Sequence, residues 1–151
     1  MPANTEPIYT LTPKVQSCTP VLVSAGTDGA GFVVSGGTVT HYIAFTAGSN
    51  GSYIKEARIK AATTNGTTAV SATSIRFFVS TVASGAVSGA DTHFITEVAI
   101  PAFTPAAATA SPDFIVPLNF ALESGKYLLC NTGVVAAANT FYKVTVFGGD
   151  Y

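Results

Sequence analysis

The segment "DFIVPLNFAL" (113–122) places Phe114, Val116, Leu118 and Phe120 at every second position. Side chains alternate faces only on an extended strand, so this period of two specifies a strand with one apolar side. The pattern recurs. "SIRFFVST" (74–81) sets Ile75, Phe77 and Val79 on one side, and "HFITEVAIP" (93–101) does so with Phe94, Thr96, Val98 and Ile100. Helical periodicity is nearly absent; in "STVASGAVSGAD" the glycines at 85 and 89 oppose a stable helix. Short β-branched and aromatic runs between Gly, Asn, Ser and Pro clusters predict an all-β, antiparallel sandwich of about eight strands. The other runs are 19–25, 38–47, 53–61, 125–132 and 140–148, with "GFVVSG" as a further short strand. One consistently apolar face per strand implies two packed sheets with wet outer faces. Pro117 cannot donate to a ladder, which places its strand at an edge or at a bulge.

Residues 1–17 contain Pro2, Pro7 and Pro13 and no alternation. They read as an extended arm, with Ile8, Tyr9 and Leu11 as anchors, in front of a single domain over 18–151. A chain of 151 residues is long enough to bury roughly two-thirds of its unfolded surface in one domain. Its start has neither a basic region nor an apolar core, so it does not read as a signal peptide. Its longest apolar runs fall short of the ~20 residues that span a bilayer. Cys18 and Cys130 could form a disulfide, but in a chain made in a reducing cytoplasm two isolated cysteines read first as free, buried thiols.

Charged residues make up only 10% of the chain, against about 25% in an average soluble protein. Such a surface suits a protein covered by neighbours in an assembly. A net charge of -1 excludes a general electrostatic grip on nucleic acid. Four of the fifteen charges, Lys55, Glu56, Arg58 and Lys60, fall within six positions. In strand geometry Tyr53, Lys55, Ala57 and Ile59 share one side, and Ile54, Glu56, Arg58 and Lys60 the other. Neither side is purely basic. The cluster reads as a solvated face or as the polar part of an interface, with Arg58 the leading contact because its planar fork matches carboxylates.

Catalytic chemistry has little to draw on. His41 and His93 are the only histidines, both in strand-like runs, and the eight acids are scattered. No nucleophile elbow or phosphate loop is present, and no close ligand pair for a metal. The expectation is a protein that is not an enzyme, with no cofactor and no metal. Sugar binding is a weaker alternative: there is no Trp, and Tyr9, Tyr53 and Tyr151 are the aromatics available for an exposed platform.

Several stretches, in order along the chain, resemble one group of proteins. They are "NTEPIYTLTP" (4–13), "FTAGSNGSYIKEARIKA" (45–61), "IRFFVS" (75–80), "LESGKYL" (122–128) and the ending "YKVTVFGGDY". The group consists of small proteins encoded beside the capsid genes of tailed bacteriophages and prophages. The likeness is loose over 62–112. It implies a virion structural protein, a head decoration (cement) protein of β-sandwich or jelly-roll form, often a homotrimer at threefold lattice positions. The implied partners are the major capsid protein and other copies of the chain, with neither nucleic acid nor membrane. The implied location is the capsid surface, after synthesis in the host cytoplasm. The alternative from a different class is a carbohydrate-binding module used in host adsorption.

Overall fold

A computed structural model describes residues 10–20, 39–64, 66–83, 86–87, 92–106, 110–133 and 139–151. The strands are β1 (Thr12–Cys18), β2 (Val39–Thr40), β3 (Tyr42–Thr46), β4 (Ser52–Thr63), β5 (Thr73–Ser80), β6 (Ala86–Val87), β7 (Thr92–Ile100), β8 (Asp113–Leu122), β9 (Tyr127–Thr132) and β10 (Thr140–Asp150). Two four-stranded sheets, ordered β1-β10-β4-β8 and β3-β9-β5-β7, accompany a small β2-β6 pair. All pairings are antiparallel. Leaving aside the two short strands, the first long strand pairs with the last, the second with the seventh, the third with the sixth and the fourth with the fifth. That nested pairing is the wrapped double hairpin of a jelly roll.

The core lies between the sheets. Ile54, Ala57, Ile59, Tyr142, Val144 and Val146 of the first sheet meet Phe45, Ile75, Phe77, Leu128 and Cys130 of the second. The period-two residues of 113–122 face it: Val116 is buried, and Phe114, Leu118 and Phe120 pack against it. Pro117 occupies an edge strand beside a register shift, satisfying both conditions that its missing N–H imposes. Asn119, two residues on, takes a positive φ of 50°, which asparagine tolerates better than most residues.

Besides Phe94, which a register shift in the β5–β7 ladder turns away from the main core and onto Phe78, three features depart from the sequence-based expectations. First, β1 begins at Thr12 and ends at Cys18. Residues 12–17, expected to belong to an arm outside the domain, are thus an edge strand paired with β10 from Thr12↔Asp150 to Cys18↔Val144. Its positions 14, 16 and 18 face the second sheet with polar or small groups, so hydrophobic alternation could not reveal it. Lys14 Nζ donates to the Thr46 carbonyl at 2.8 Å, and Gln16 Oε1 accepts from the Thr46 N–H at 2.6 Å. Residues 19–20 lie beyond the strand; 21–25 and "GFVVSG" lie outside the described residues, as do Ile8 and Tyr9.

Second, the faces of β4 are not those of simple alternation. Lys55 has no partner in the ladder to β10, where Phe147 pairs with Glu56 and Gly148 with Ile54. This bulge reverses the parity. Ile54 turns inward with Ala57 and Ile59, all at 0% exposure, while Glu56, Arg58 and Lys60 stay outside.

Third, the outer side of the second sheet is covered at its centre. Phe78 and Leu129 pair across β5 and β9, facing away from the main core, yet both are buried in a second cluster with Ile43, Val82 and Tyr127. His41, which separates β2 from β3 and divides the expected 38–47 strand, is buried there too. Its ring packs edge-on to Phe78, with Nδ1 3.1 Å from Asn131 Nδ2.

Asp150 ties the chain's end to its beginning. It accepts hydrogen bonds from Ser52 Oγ and from Lys14 Nζ at 3.0 and 3.2 Å. The Ser52 bond, with the Lys14 charge, lowers its pKa against the opposing effect of burial. A depressed folded-state pKa contributes stability above the unfolded value of about 3.9, and that stability is lost as pH falls through the folded value. Asp150→Asn is therefore expected to be less stable than the wild type at pH 7. Urea midpoints should show that gap closing below about pH 4. A gap that stays constant down to pH 2 would refute this assignment.

Candidate interaction face

The outer side of the β1-β10-β4-β8 sheet brings together residues far apart in sequence. The ladders set Val15, Phe147, Glu56 and Pro117 in one row across the sheet, and Ser17, Thr145, Arg58 and Ile115 in the next. The third row is Lys143, Lys60 and Asp113, and the last places Phe141 beside Ala62. Alternation presents these side chains outward because Tyr142, Val144 and Val146 are drawn into the core from the opposite face of β10.

A groove of about 580 Å³ runs over these rows, lined by Arg58, Lys60, Lys143, Phe141, Phe147 and Asp113 among others. From Phe141 to Phe147 along one strand is roughly 20 Å, the reach of about six extended residues. Phe147 lies beneath the Arg58 guanidinium, 5.5 Å from ring centroid to Cζ. Glu56 holds the same guanidinium through a 3.0 Å contact to Nε. Arg58 is thereby pre-oriented, although at 46% side-chain exposure the ion pair itself contributes little.

Charge is unbalanced in the third row. Lys60 and Lys143 stand directly opposite one another, an arrangement that is unfavourable without an anion between them. Asp113 approaches Lys60 only to 3.8 Å, with both side chains well exposed. Among the described residues no acid pairs with Lys143. The groove therefore offers a cationic centre between two phenylalanine rings, suited to a carboxylate-bearing partner surface.

Exposed apolar side chains flank it. Val15 on β1 is 59% exposed and Ile115 on β8 is 55%. Leu11, immediately before β1, is 82% exposed while its N–H donates to the Asp150 carbonyl at 2.9 Å. Leu11 is thus tied to β10 through its backbone while its side chain stands bare.

Of the contact residues named from sequence, Arg58 lies at the centre of this sheet and Leu11 just before its β1 edge. Ile8 and Tyr9 lie outside the described residues. Lys143, Phe141 and Phe147 were not singled out from sequence. Their signal was present as the outward parity of "TFYKVTVFG", but only the β10–β4 pairing sets them beside Arg58. Tyr53, a candidate for a sugar platform, is half-buried and donates its hydroxyl to Asn119 Oδ1 at 3.1 Å. Tyr151 is also half-buried, and Tyr9 lies outside the described residues. Among the described residues no three His, Cys, Asp or Glu side chains gather as a metal site would require.

No protein-family model, curated protein or solved structure matches this chain.

Proposed function

We propose that this chain is a non-enzymatic virion structural protein, a decoration protein that binds the outside of a phage head and stabilises the shell. The observation that carries the reading is the outer face of the first sheet, where bared Val15 and Ile115 share ladder rows with residues lining a cationic groove, and Leu11 stands exposed just before β1. Exposed apolar side chains beside a few unbalanced charges supply the apolar and polar mix that a protein interface uses, which supports this reading. The resemblance carried by the ordered run of motifs supports a phage head as the assembly, and the scarcity of charge agrees with a protein covered by neighbours. The major capsid protein is the proposed partner, and other copies of the chain complete a trimer.

Stabilisation in this scheme is mechanical. Each copy buries at least ~1,000 Å² against the shell, so separating capsomers also requires breaking those contacts. The edge strand β1 connects this face to residues 1–9, which are proposed to extend the grip.

The test uses undecorated heads and purified full-length protein. Removing residues 1–17 would delete β1 and confound binding with folding, so the informative truncation stops at residue 9. Val15→Asp and Lys143→Glu leave the core untouched. Each is expected to weaken head binding by at least about fivefold, the effect of losing one contact of more than about 1 kcal/mol. Unchanged affinity in both variants and in the truncation would remove the proposal. A glycan array that gives saturable binding, abolished by Lys143→Glu, would favour host adsorption in its place.

A further inference from the structure

Cys18 and Cys130 stand 112 residues apart in sequence, with their Sγ atoms 3.2 Å apart. They belong to different sheets, Cys18 at the end of β1 and Cys130 in the middle of β9. Cys130 is fully buried in the main core, whereas Cys18 is only half-buried at an edge. The interaction face uses neither thiol. We propose that the two cysteines form a redox modification site that closes into an intrachain disulfide, stapling edge strand β1 to the facing sheet.

The position gives the bond a structural purpose. Strand β1 is held to the second sheet by alternate residues: Lys14 and Gln16 grip the backbone of Thr46, and Cys18 touches Cys130. The first two contacts are exchangeable hydrogen bonds, and the third is the only one that can become covalent. An edge strand hydrogen-bonded on one side opens more readily than the strands inside the sheet. A bond from its far end to the core would suppress that opening.

Oxidised glutathione suffices as the oxidant. The Cys18 thiolate attacks one glutathione sulfur and expels a glutathione thiolate, leaving a mixed disulfide. The Cys130 thiol gives its proton to water, attacks the Cys18 sulfur and expels the second glutathione thiolate. Two protein thiols are oxidised, one glutathione disulfide is reduced to two thiols, and two protons pass from the cysteines to them. Burial holds the Cys130 thiol well above the ordinary thiol range, reinforced by its contact with Cys18. The second displacement is therefore slow in the closed protein and proceeds when β1 frays. Reducing surroundings keep the pair open, and oxidising ones close it. The bond does not depend on the decoration reading, although a particle leaving a reducing host cell would meet this change.

The experiment refolds the full chain from denaturant in a buffer of oxidised and reduced glutathione, so that burial in the native protein does not limit the outcome. Free thiols are then alkylated and the intact mass is measured. The expected product carries no alkyl group and weighs two hydrogens less than the reduced chain. Its Tm should exceed that of the same sample in dithiothreitol by roughly 5–15 °C. Cys18→Ser, a change at the edge and not in the core, should abolish the dependence on dithiothreitol. Two alkylated cysteines, or a glutathione adduct that persists on Cys18, would overturn the proposal. A disulfide that leaves Tm unchanged would overturn its role as a staple. Binding to heads is a separate readout: its failure with the disulfide intact counts against the decoration reading alone.

Discussion

Phe45→Ala is expected to cost about 3–5 kcal/mol of folding stability, the range for deleting a buried aromatic ring. That is a large part of the total that holds a domain of this size, and it corresponds to a drop in Tm of roughly 6–20 °C. Phe45 is 0% exposed and projects from β3 into the space between the sheets. Its ring also lies beneath the Lys14 ammonium, 5.0 Å from the centroid, so its loss loosens β1 as well as the core. Val15→Ala, on the same edge but facing solvent, is the control and should change stability by no more than about 0.5 kcal/mol. Urea denaturation of both variants decides the matter. Equal midpoints would mean that the core is not where the structure places it.

Gly148→Ala is expected to cost about 1–3 kcal/mol or more, through crowding where Phe45→Ala acts through a cavity. A methyl group at Gly148 would collide with the Tyr53 carbonyl oxygen and press on the Ile54 Cα and the Phe45 ring. The first two obstacles are backbone atoms that cannot rotate away. Gly148 sits at the register shift between β10 and β4, so relief requires the bulge itself to move. The bulge decides which side Ile54 and Glu56 face, and the variant should therefore disturb the groove as well as the stability. Combining the two substitutions is a sharper test, since the rings and backbone involved are in contact. The cavity left by Phe45 relieves only the ring contact, so the double variant should be less stable than either single one. A double variant as stable as Phe45→Ala would show that the Tyr53 clash is absorbed at no cost.

Period-two alternation was a dependable guide where strands face a purely apolar core. Strand β8 spans the same residues as its sequence pattern, and Phe114, Val116, Leu118 and Phe120 all face inward. It misled at β4, where one unpaired residue exchanges the faces. A similar shift lies in β3 between Ile43 and Phe45, turning Phe45 to the same side as Tyr42. Bulges conserve composition and spacing, so they leave no local mark; they arise from how two strands must twist to close the sandwich. Strand β1 was missed for a different reason. Its inward positions are Lys14, Gln16 and Cys18, which serve as hydrogen-bond and thiol partners for a distant strand and mimic an exposed face when read alone.

The candidate face was legible only in part. Its charged half, Glu56, Arg58 and Lys60, is contiguous in sequence and visible there. The other half comes from β10, more than eighty positions later, and joins it through the Lys143↔Lys60 and Thr145↔Arg58 pairs. That juxtaposition turns a mixed-charge strand into a cationic groove bounded by aromatic rings.

By itself the sequence determined the class of the fold, its two-layer plan and that Pro117 stands at an edge or a bulge, because alternation and turn chemistry are local properties of an extended chain. The tertiary structure alone decided which strands neighbour one another, which way each side of a bulge faces, and that Cys18 meets Cys130. Those outcomes depend on closing loops of up to a hundred residues or more. They are set by the collective packing of two twisted sheets, which no short stretch of residues encodes.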